Sequence, residues 1–237
     1  MMETGTQVIQ LKLAAKQALR GNYGVAIAAG IIYGLIYLVI NLVAPAGGTS
    51  AISYILMQGV SIVISLLAGV FMSGFAYLNL RMVYGEKPVI ADLFHGFKEE
   101  PNKAIQIQVI FVVYSLLFSI PAYMYELGAG EDINYAVWLA LSVLAPVLSF
   151  VATLPFSQAF HLLQDFPERS AHELLRASAR LMQGNKMRLV RLALSFLPFF
   201  LLSSFLMFIP LFWMMADYRA ARAVFYKDLV GREHGIS

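Results

Sequence analysis

The chain has 237 residues, 59% of them hydrophobic and only 13% charged. Soluble domains average roughly 45–50% and about 25%, so the composition excludes an ordinary water-soluble core-and-shell domain. With no cysteine there are no disulfides, thiolate metal sites or catalytic thiols.

The charge is ordered along the chain. Lys12, Lys16 and Arg20 form one block; Arg81, Lys87, Lys98 and Lys103 a second. Arg169, Arg176, Arg180, Lys186, Arg188 and Arg191 form the third, and Arg219, Arg222, Lys227 and Arg232 the last. These blocks hold all 17 Lys and Arg residues. The turns around Ala44–Ala51 and Glu126–Asp132 have none. That alternation is the positive-inside pattern of a multi-pass helical protein of the cell membrane, with both termini and two loops cytoplasmic. The cations lie beside apolar runs, where anionic lipid is the nearer counter-charge, at about 1 kcal/mol per basic residue. Nucleic acid is not the expected partner.

Val8–Arg20 reads as an amphipathic surface helix, with Lys12, Lys16 and Arg20 in one stripe and Val8, Leu11, Ala15 and Leu19 on other faces. Gly21-Asn22 supplies a C-cap. The first span covers about residues 25–43; its apolar run is too long for the roughly 7–15-residue core of a signal peptide. Ala26, Gly30 and Gly34 recur every four residues and predict close helix packing, within the chain or against a second copy. The second span, about 52–80, exceeds what a bilayer needs, and Gly69, Ser73 and Gly74 offer another close-packing stretch. Residues 81–103 form a cytoplasmic loop, broken by Gly85 and Pro88.

The third span, about 104–123, carries Pro121 near its outer end. The fourth, about 134–163, contains Pro146 and Pro155 and is expected to kink. Residues 164–186 form the second cytoplasmic loop, with a basic surface helix over His172–Gln183. The last apolar run, Leu189–Ala216, would leave a basic tail outside if it crossed once. A kinked hairpin, 187–204 and 205–226, returns it to the cytoplasm. The expected fold is therefore all-α, a single integral membrane domain over 1–237 with five to six transmembrane helices, six preferred, plus amphipathic surface helices. A short internal repeat supports that count: Leu19-Arg20-Gly21-Asn22 and Met182-Gln183-Gly184-Asn185 each follow a basic helix and precede a span.

Several motifs carry a family resemblance. They are Ala18-Leu19-Arg20-Gly21-Asn22-Tyr23-Gly24, Gly85-Glu86-Lys87-Pro88, and Asp92-Leu93-Phe94-His95-Gly96-Phe97-Lys98. Further along come Leu174-Leu175-Arg176-Ala177-Ser178, Leu181-Met182-Gln183-Gly184-Asn185-Lys186, Leu194-Ser195-Phe196 and Phe225-Tyr226-Lys227-Asp228-Leu229. In this order they resemble a family of bacterial integral membrane proteins catalogued as domain of unknown function nine-seven-five. The resemblance implies a plasma-membrane protein and transfers no activity and no catalytic residue. Where the family has a glycine-rich turn after the fifth span, this chain has Leu206-Met207-Phe208-Ile209-Pro210.

Chemistry-bearing residues are sparse. His161 and Asp165 lie one helical turn apart, with His172 and Glu173 nearby, but match no standard metal-ligand spacing. Serines in the spans have no intramembrane base beside them and no nucleophile elbow, so they read as helix-to-helix hydrogen-bonding groups. No ionised residue falls in the span cores, which weakens any proton-coupled mechanism. Asp217 reads as a local counter-charge to Arg219 and Arg222 at the cytoplasmic boundary. No enzyme, cofactor or metal site is expected. Lys12, Lys16, Arg20, Arg176, Arg180, Lys186, Arg188 and Arg191 are the candidate lipid-headgroup contacts. The expected function is a non-enzymatic membrane-organising protein that binds lipid or a membrane-protein partner; the alternative is a transporter or export accessory for a neutral or amphiphilic compound. The latter requires a polar cavity among the spans.

Overall fold

The computed structural model describes residues 2–43, 51–129, 134–205 and 209–233, and these contain helix and turn but no strand. Helix α1 (Met2–Leu19) leads into α2 (Tyr23–Val43), and α3 (Ala51–Val83) follows. At about 1.5 Å per residue, the 33 residues of α3 measure about 50 Å. That exceeds a hydrocarbon core of about 30 Å, so part of α3 stands clear of it.

After α3 the chain turns at Gly85, whose φ of 83° is left-handed. A 3-10 turn, Ile90–Phe94, and the short α4 (His95–Lys98) follow. Asp92 anchors this loop: its Oδ2 accepts from the Val89 amide at 2.8 Å and from Arg81 Nη1 at 2.8 Å. The loop lies against α3 through two glycines. A Cβ at Gly74 would sit 2.6 Å from the Leu93 carbonyl carbon, and one at Gly96 would sit 3.2 Å from that of Val70. Only residues without a side chain permit that approach.

Helix α5 (Pro101–Ala129) opens on proline, whose missing N–H costs nothing in a first turn. Helix α6 (Tyr135–Thr153) is capped by Asn134, whose Oδ1 accepts from the Ala136 and Val137 amides at 3.0 and 3.4 Å. The chain stays helical through Pro146, and the break comes at the Pro155 turn, Leu154–Phe156. Helix α7 (Ala159–Asp165) resumes the same direction-giving apolar run. Helix α8 (Ala171–Leu181) starts with a reciprocal cap: Ser170 Oγ accepts from the Glu173 amide, and Glu173 Oε2 accepts from the Ser170 amide.

The last run divides into α9 (Lys186–Leu194), α10 (Leu197–Phe205) and α11 (Ile209–Glu233). Arg188 meets Asp228, Phe196 meets Tyr218, and Ser203 shares a groove with Pro210 and Trp213. The α9–α10 arm therefore runs antiparallel to α11, as a hairpin. Among the described residues, four helical stretches are long and apolar enough to cross a membrane: Tyr23–Ile40, Gln58–Val83, Pro101–Tyr125 and Tyr135–Asp165. Neither hairpin arm is among them, because Ser195-Phe196 interrupts the first and Asp217 onward is polar.

The internal repeat has a structural counterpart. Gly21 and Gly184 take φ values of 84° and 74°. Asn22 Nδ2 donates to the Ala18 carbonyl at 3.3 Å, and Asn185 Nδ2 to that of Leu181 at 3.1 Å. Each Gly-Asn pair thus ends one helix, satisfies a carbonyl of its last turn, and starts the next.

Burial separates the molecule into two zones. Leu19, Leu93, Ile107, Leu174, Met182, Leu192 and Phe225 pack in one continuous core among the basic ends of the helices. Toward the other end, large apolar residues face outward: Leu38, Leu42, Val63, Leu67, Val113, Leu117, Val147 and Val151. An outward apolar belt over long helices is what a lipid environment demands and water would penalise.

Candidate functional site

Helix α1 buries Leu11, Ala15 and Leu19, spaced by four, against the body. That leaves Ile9, Lys12, Leu13 and Lys16 along the next face. Together with Phe196, Phe199, Leu202 and Ser203, and with Pro210, Trp213, Met214 and Asp217 of α11, they line a groove of about 350 Å³. The groove is apolar along its length and charged at one end. Lys12 Nζ donates to the Ser195 carbonyl at 2.9 Å and stands 4.3 Å over the Phe196 ring. Burial lowers the Lys12 pKa below the usual lysine value, and the neighbouring Lys16 charge lowers it further. Asp217 accepts from the Tyr23 hydroxyl at 2.9 Å. The site exists because the broken end of α9 presents a free carbonyl and two phenyl rings to a lysine on α1.

Behind the groove, α11 carries Arg219, Arg222 and Tyr226 on one face, spaced three and four apart. Arg219 lies 3.8 Å over the Phe75 ring, and its Nη1 is the nearest atom to a Cβ placed on Gly30, at 3.3 Å. Arg222 Nη2 donates to the Ser157 carbonyl at 2.8 Å, at the break between α6 and α7, where helix carbonyls are freed. Tyr226 donates to Asp165 Oδ2 at 2.7 Å, and Tyr84 donates to the same oxygen at 3.2 Å. Burial and that carboxylate push the Tyr84 pKa up to about 12. His161 stacks on Tyr226 at 5.3 Å between ring centres. Gln158 Oε1, His161 Nδ1 and Arg222 Nε are buried without a hydrogen-bond partner, a demand that internal water can meet.

A second cleft, of about 410 Å³, separates α3 from α5. Gln58, Ser61 and Ser65 line one wall; Gln108, Ser115, Ser119 and Tyr123 line the other. Gln108 Nε2 donates to the Ser65 carbonyl at 3.1 Å, and Ser119 Oγ to that of Ser115 at 2.8 Å.

The basic residues marked in the sequence divide among several places. Lys12 and Lys16 share the α1 groove, while Arg20, beyond the end of α1, turns to a different cavity. Arg169 and Arg180 line two hollows of about 260 and 290 Å³, and Arg176 joins them at the smaller. Arg188 is held by Asp228 at 2.6 Å and by Asn185 at 3.0 Å, so it is committed to the fold. Lys186 and Arg191 are exposed, apart from these groups. Of the packing positions, Ala26 and Gly69 are buried, and a Cβ on Gly69 would meet Gln108 Cγ at 2.9 Å. Ser73 is buried and accepts from Gln164 Nε2 at 2.8 Å; Gly34 faces outward with nothing within 4 Å. His161 and Asp165 both meet Tyr226, one at its ring and the other at its hydroxyl, and among the described residues no three His, Asp or Glu gather as a metal set would require.

Arg219, Arg222, Tyr84, Tyr226 and Arg169 carry much of this geometry without having been marked. The signal for three of them was present, as a polar face on α11 recurring at helical spacing.

The comparisons with known proteins add one finding. A model of the family described as "Protein of unknown function (DUF975)" matches residues 131–233. This is the family that the sequence motifs resemble. The DUF975 match takes in α6 to α11, and so includes the α11 polar face and the hairpin side of the groove. No curated protein and no solved structure matches the chain.

Proposed function

We propose that the protein is a non-enzymatic, multi-pass protein of a bacterial plasma membrane that binds an anionic lipid or related amphiphile in the groove between α1 and the α10–α11 hairpin. The observation that carries this reading is the groove itself, with phenylalanines, leucines and a tryptophan along it and two lysines at its end. Its volume lies in the range of about 300–1,000 Å³ usual for small-molecule sites. An acyl chain fits the apolar length, and the headgroup reaches Lys12 and Lys16. The basic end of the bundle is then cytoplasmic, with both termini there, because cations concentrate on that side.

The test is lipid retention by the full chain in nanodiscs, comparing phosphatidylglycerol with phosphatidylcholine of the same acyl chains. Two cations at about 1 kcal/mol each correspond to a preference on the order of 30-fold for the anionic lipid. Replacing Lys12 and Lys16 by Gln removes most of it. Equal retention of the two lipids by the parent chain sinks the proposal.

The α3–α5 cleft supports a second reading, passage of a neutral polar or amphiphilic compound. Its walls carry amides and hydroxyls, which are costly against lipid tails unless hydrated or occupied. Cysteines introduced at Ser61 and Ser115 should then react with a membrane-impermeant maleimide, whereas one at the outward-facing Val63 should not. Protection of all three alike counts against passage.

A further inference from the structure

A larger cavity, of about 820 Å³, lies on another face of α1. Ala14, Gln17 and Ala18 border it, while Lys12 and Lys16 point to the lipid groove. It forms where the turn after α1, the loop after α3 and the lower part of α11 meet. Each of these three elements contributes one cation: Arg20, Lys87 and Lys227.

The charges are unbalanced in a specific way. One carboxylate, Glu86, lines the cavity, and it is already held by Arg81 Nε at 2.8 Å. Lys227 Nζ is fixed by the Val83 carbonyl at 3.2 Å and lies 5.3 Å over the Tyr84 ring. Among the described residues no carboxylate pairs with Arg20, Lys87 or Lys227. With Arg81 and the two carboxylates it holds, Glu86 and Asp92, counted in, four cations against two carboxylates leave two positive charges in excess. A phosphate monoester carries about −1.5 to −2 at neutral pH, which matches that excess. Arginine and lysine approaching from three sides suit its three terminal oxygens better than a planar, singly charged carboxylate.

The rim is built to stay open. Gly21 and Gly85 both border the cavity with left-handed φ values of 84° and 83°, and a Cβ on either would meet nothing within 4 Å. The glycines are needed for the turns rather than for space, so the turns hold Arg20 and Lys87 beside an empty volume instead of folding over it.

We propose that this cavity binds a phosphate monoester, either on a soluble metabolite or as the headgroup of a lipid such as phosphatidic acid. The site is independent of the lipid groove, and the experiment separates them. The full chain is placed in nanodiscs of phosphatidylcholine and titrated with glycerol phosphate; a parallel set is doped with phosphatidic acid. Binding of glycerol phosphate assigns the soluble source; because the lipid groove also takes anionic lipid, the lipid source is assigned only by phosphatidic acid binding that weakens with Arg20→Gln and Lys87→Gln while glycerol phosphate does not bind. In either case, joint replacement Arg20→Gln and Lys87→Gln should weaken binding roughly tenfold or more, whereas Lys16→Gln alone, which leaves the Lys12 tie to Ser195 in place, keeps glycerol phosphate binding unchanged. Arg20→Lys, which keeps the charge, should retain most of the affinity. The proposal is overturned if neither phosphate source binds. It is equally overturned if the Arg20, Lys87 double variant, shown folded by unaltered thermal unfolding, binds as the parent does.

Discussion

Gly74→Ala tests how the loop after α3 is held. A methyl group there would lie 2.6 Å from the Leu93 carbonyl carbon and closer still to its oxygen. Carbon atoms in good contact stand about 3.5–4.0 Å apart, so the loop must retreat by about 1 Å. The obstacle is backbone on both sides, which no rotamer change relieves. Overpacking of this kind costs about 1–3 kcal/mol, a factor of roughly 5 to 150 in the docking equilibrium. Leu93, fully buried in the parent, is the residue that the retreat uncovers. The absence of native cysteine makes the assay clean: a Leu93→Cys reporter is labelled slowly while the loop is docked. Adding Gly74→Ala should accelerate labelling by that factor and lower the midpoint of thermal unfolding in detergent. Gly34→Ala, at a position with nothing within 4 Å, is the control and should change neither. Identical labelling in the two alanine variants would refute the close-approach argument.

Three further outcomes follow from the geometry. Tyr226→Phe removes a partly buried hydrogen bond of 2.7 Å to Asp165 and should cost about 1.5–3 kcal/mol, while Tyr84→Phe, with a longer and more exposed bond of 3.2 Å, should cost less; thermal unfolding of both in one detergent decides it. Ser170→Ala opens the cap of α8 and should cost about 0.5–2 kcal/mol, read as faster amide exchange in its first turn; because the cap holds the Glu173 pKa below its ordinary 4.5, acid should open the same turn only below that value. Lys12 has a pKa below the ordinary 10.5, so the unfolded chain binds its proton more tightly and stability without lipid should rise as pH climbs from the lowered value to 10.5. Affinity for an anionic lipid needs the charged form and should fall over that same interval. Lys12→Met should flatten both slopes, and a lipid affinity indifferent to pH there would remove Lys12 from the site.

Helix class was legible because long uncharged runs leave a chain few alternatives, and the ends were legible because Gly-Asn and Gly85 dictate left-handed turns. The break at Pro155 was also visible, although Pro146, of the same residue type, did not stop its helix. Propensity gives a proline's cost; whether neighbours meet it depends on packing that a single run does not encode. Arg219 and Arg222 were harder. Averaged along the chain they look like a boundary, and their inward direction is set by partners far off in sequence: Phe75, and the Ser157 carbonyl. A charge count therefore assigns these arginines to a side of the membrane, whereas the structure gives Arg219 to the packing of α11 on α2 and α3, and Arg222 to the seam between α11 and the broken fourth run.

Both proposed cavities depend on α1 lying against α11, and that contact has its own explanation. Helix α11 buries Ala216, Ala220, Ala221 and Ala223, so its backbone can come close to its neighbours, as small residues permit in helix pairs. The cost is a thin interface with little shape to fix rotation. Directional bonds supply what the alanines cannot. They act on the flanks of the contact: Lys12 ties α1 to the Ser195 carbonyl at the break between α9 and α10 across 183 positions of sequence, and Tyr23, at the start of α2, ties to Asp217 of α11 across 194. Each tie joins the first fifth of the chain to the last fifth. The lipid groove and the phosphate cavity are formed on two sides of α1 only once those ties are made, so no local motif could have announced either. Loosening these ties, by Lys12→Gln included, should accordingly disturb both sites together, whereas Lys16→Gln should weaken the lipid groove and leave the phosphate cavity intact.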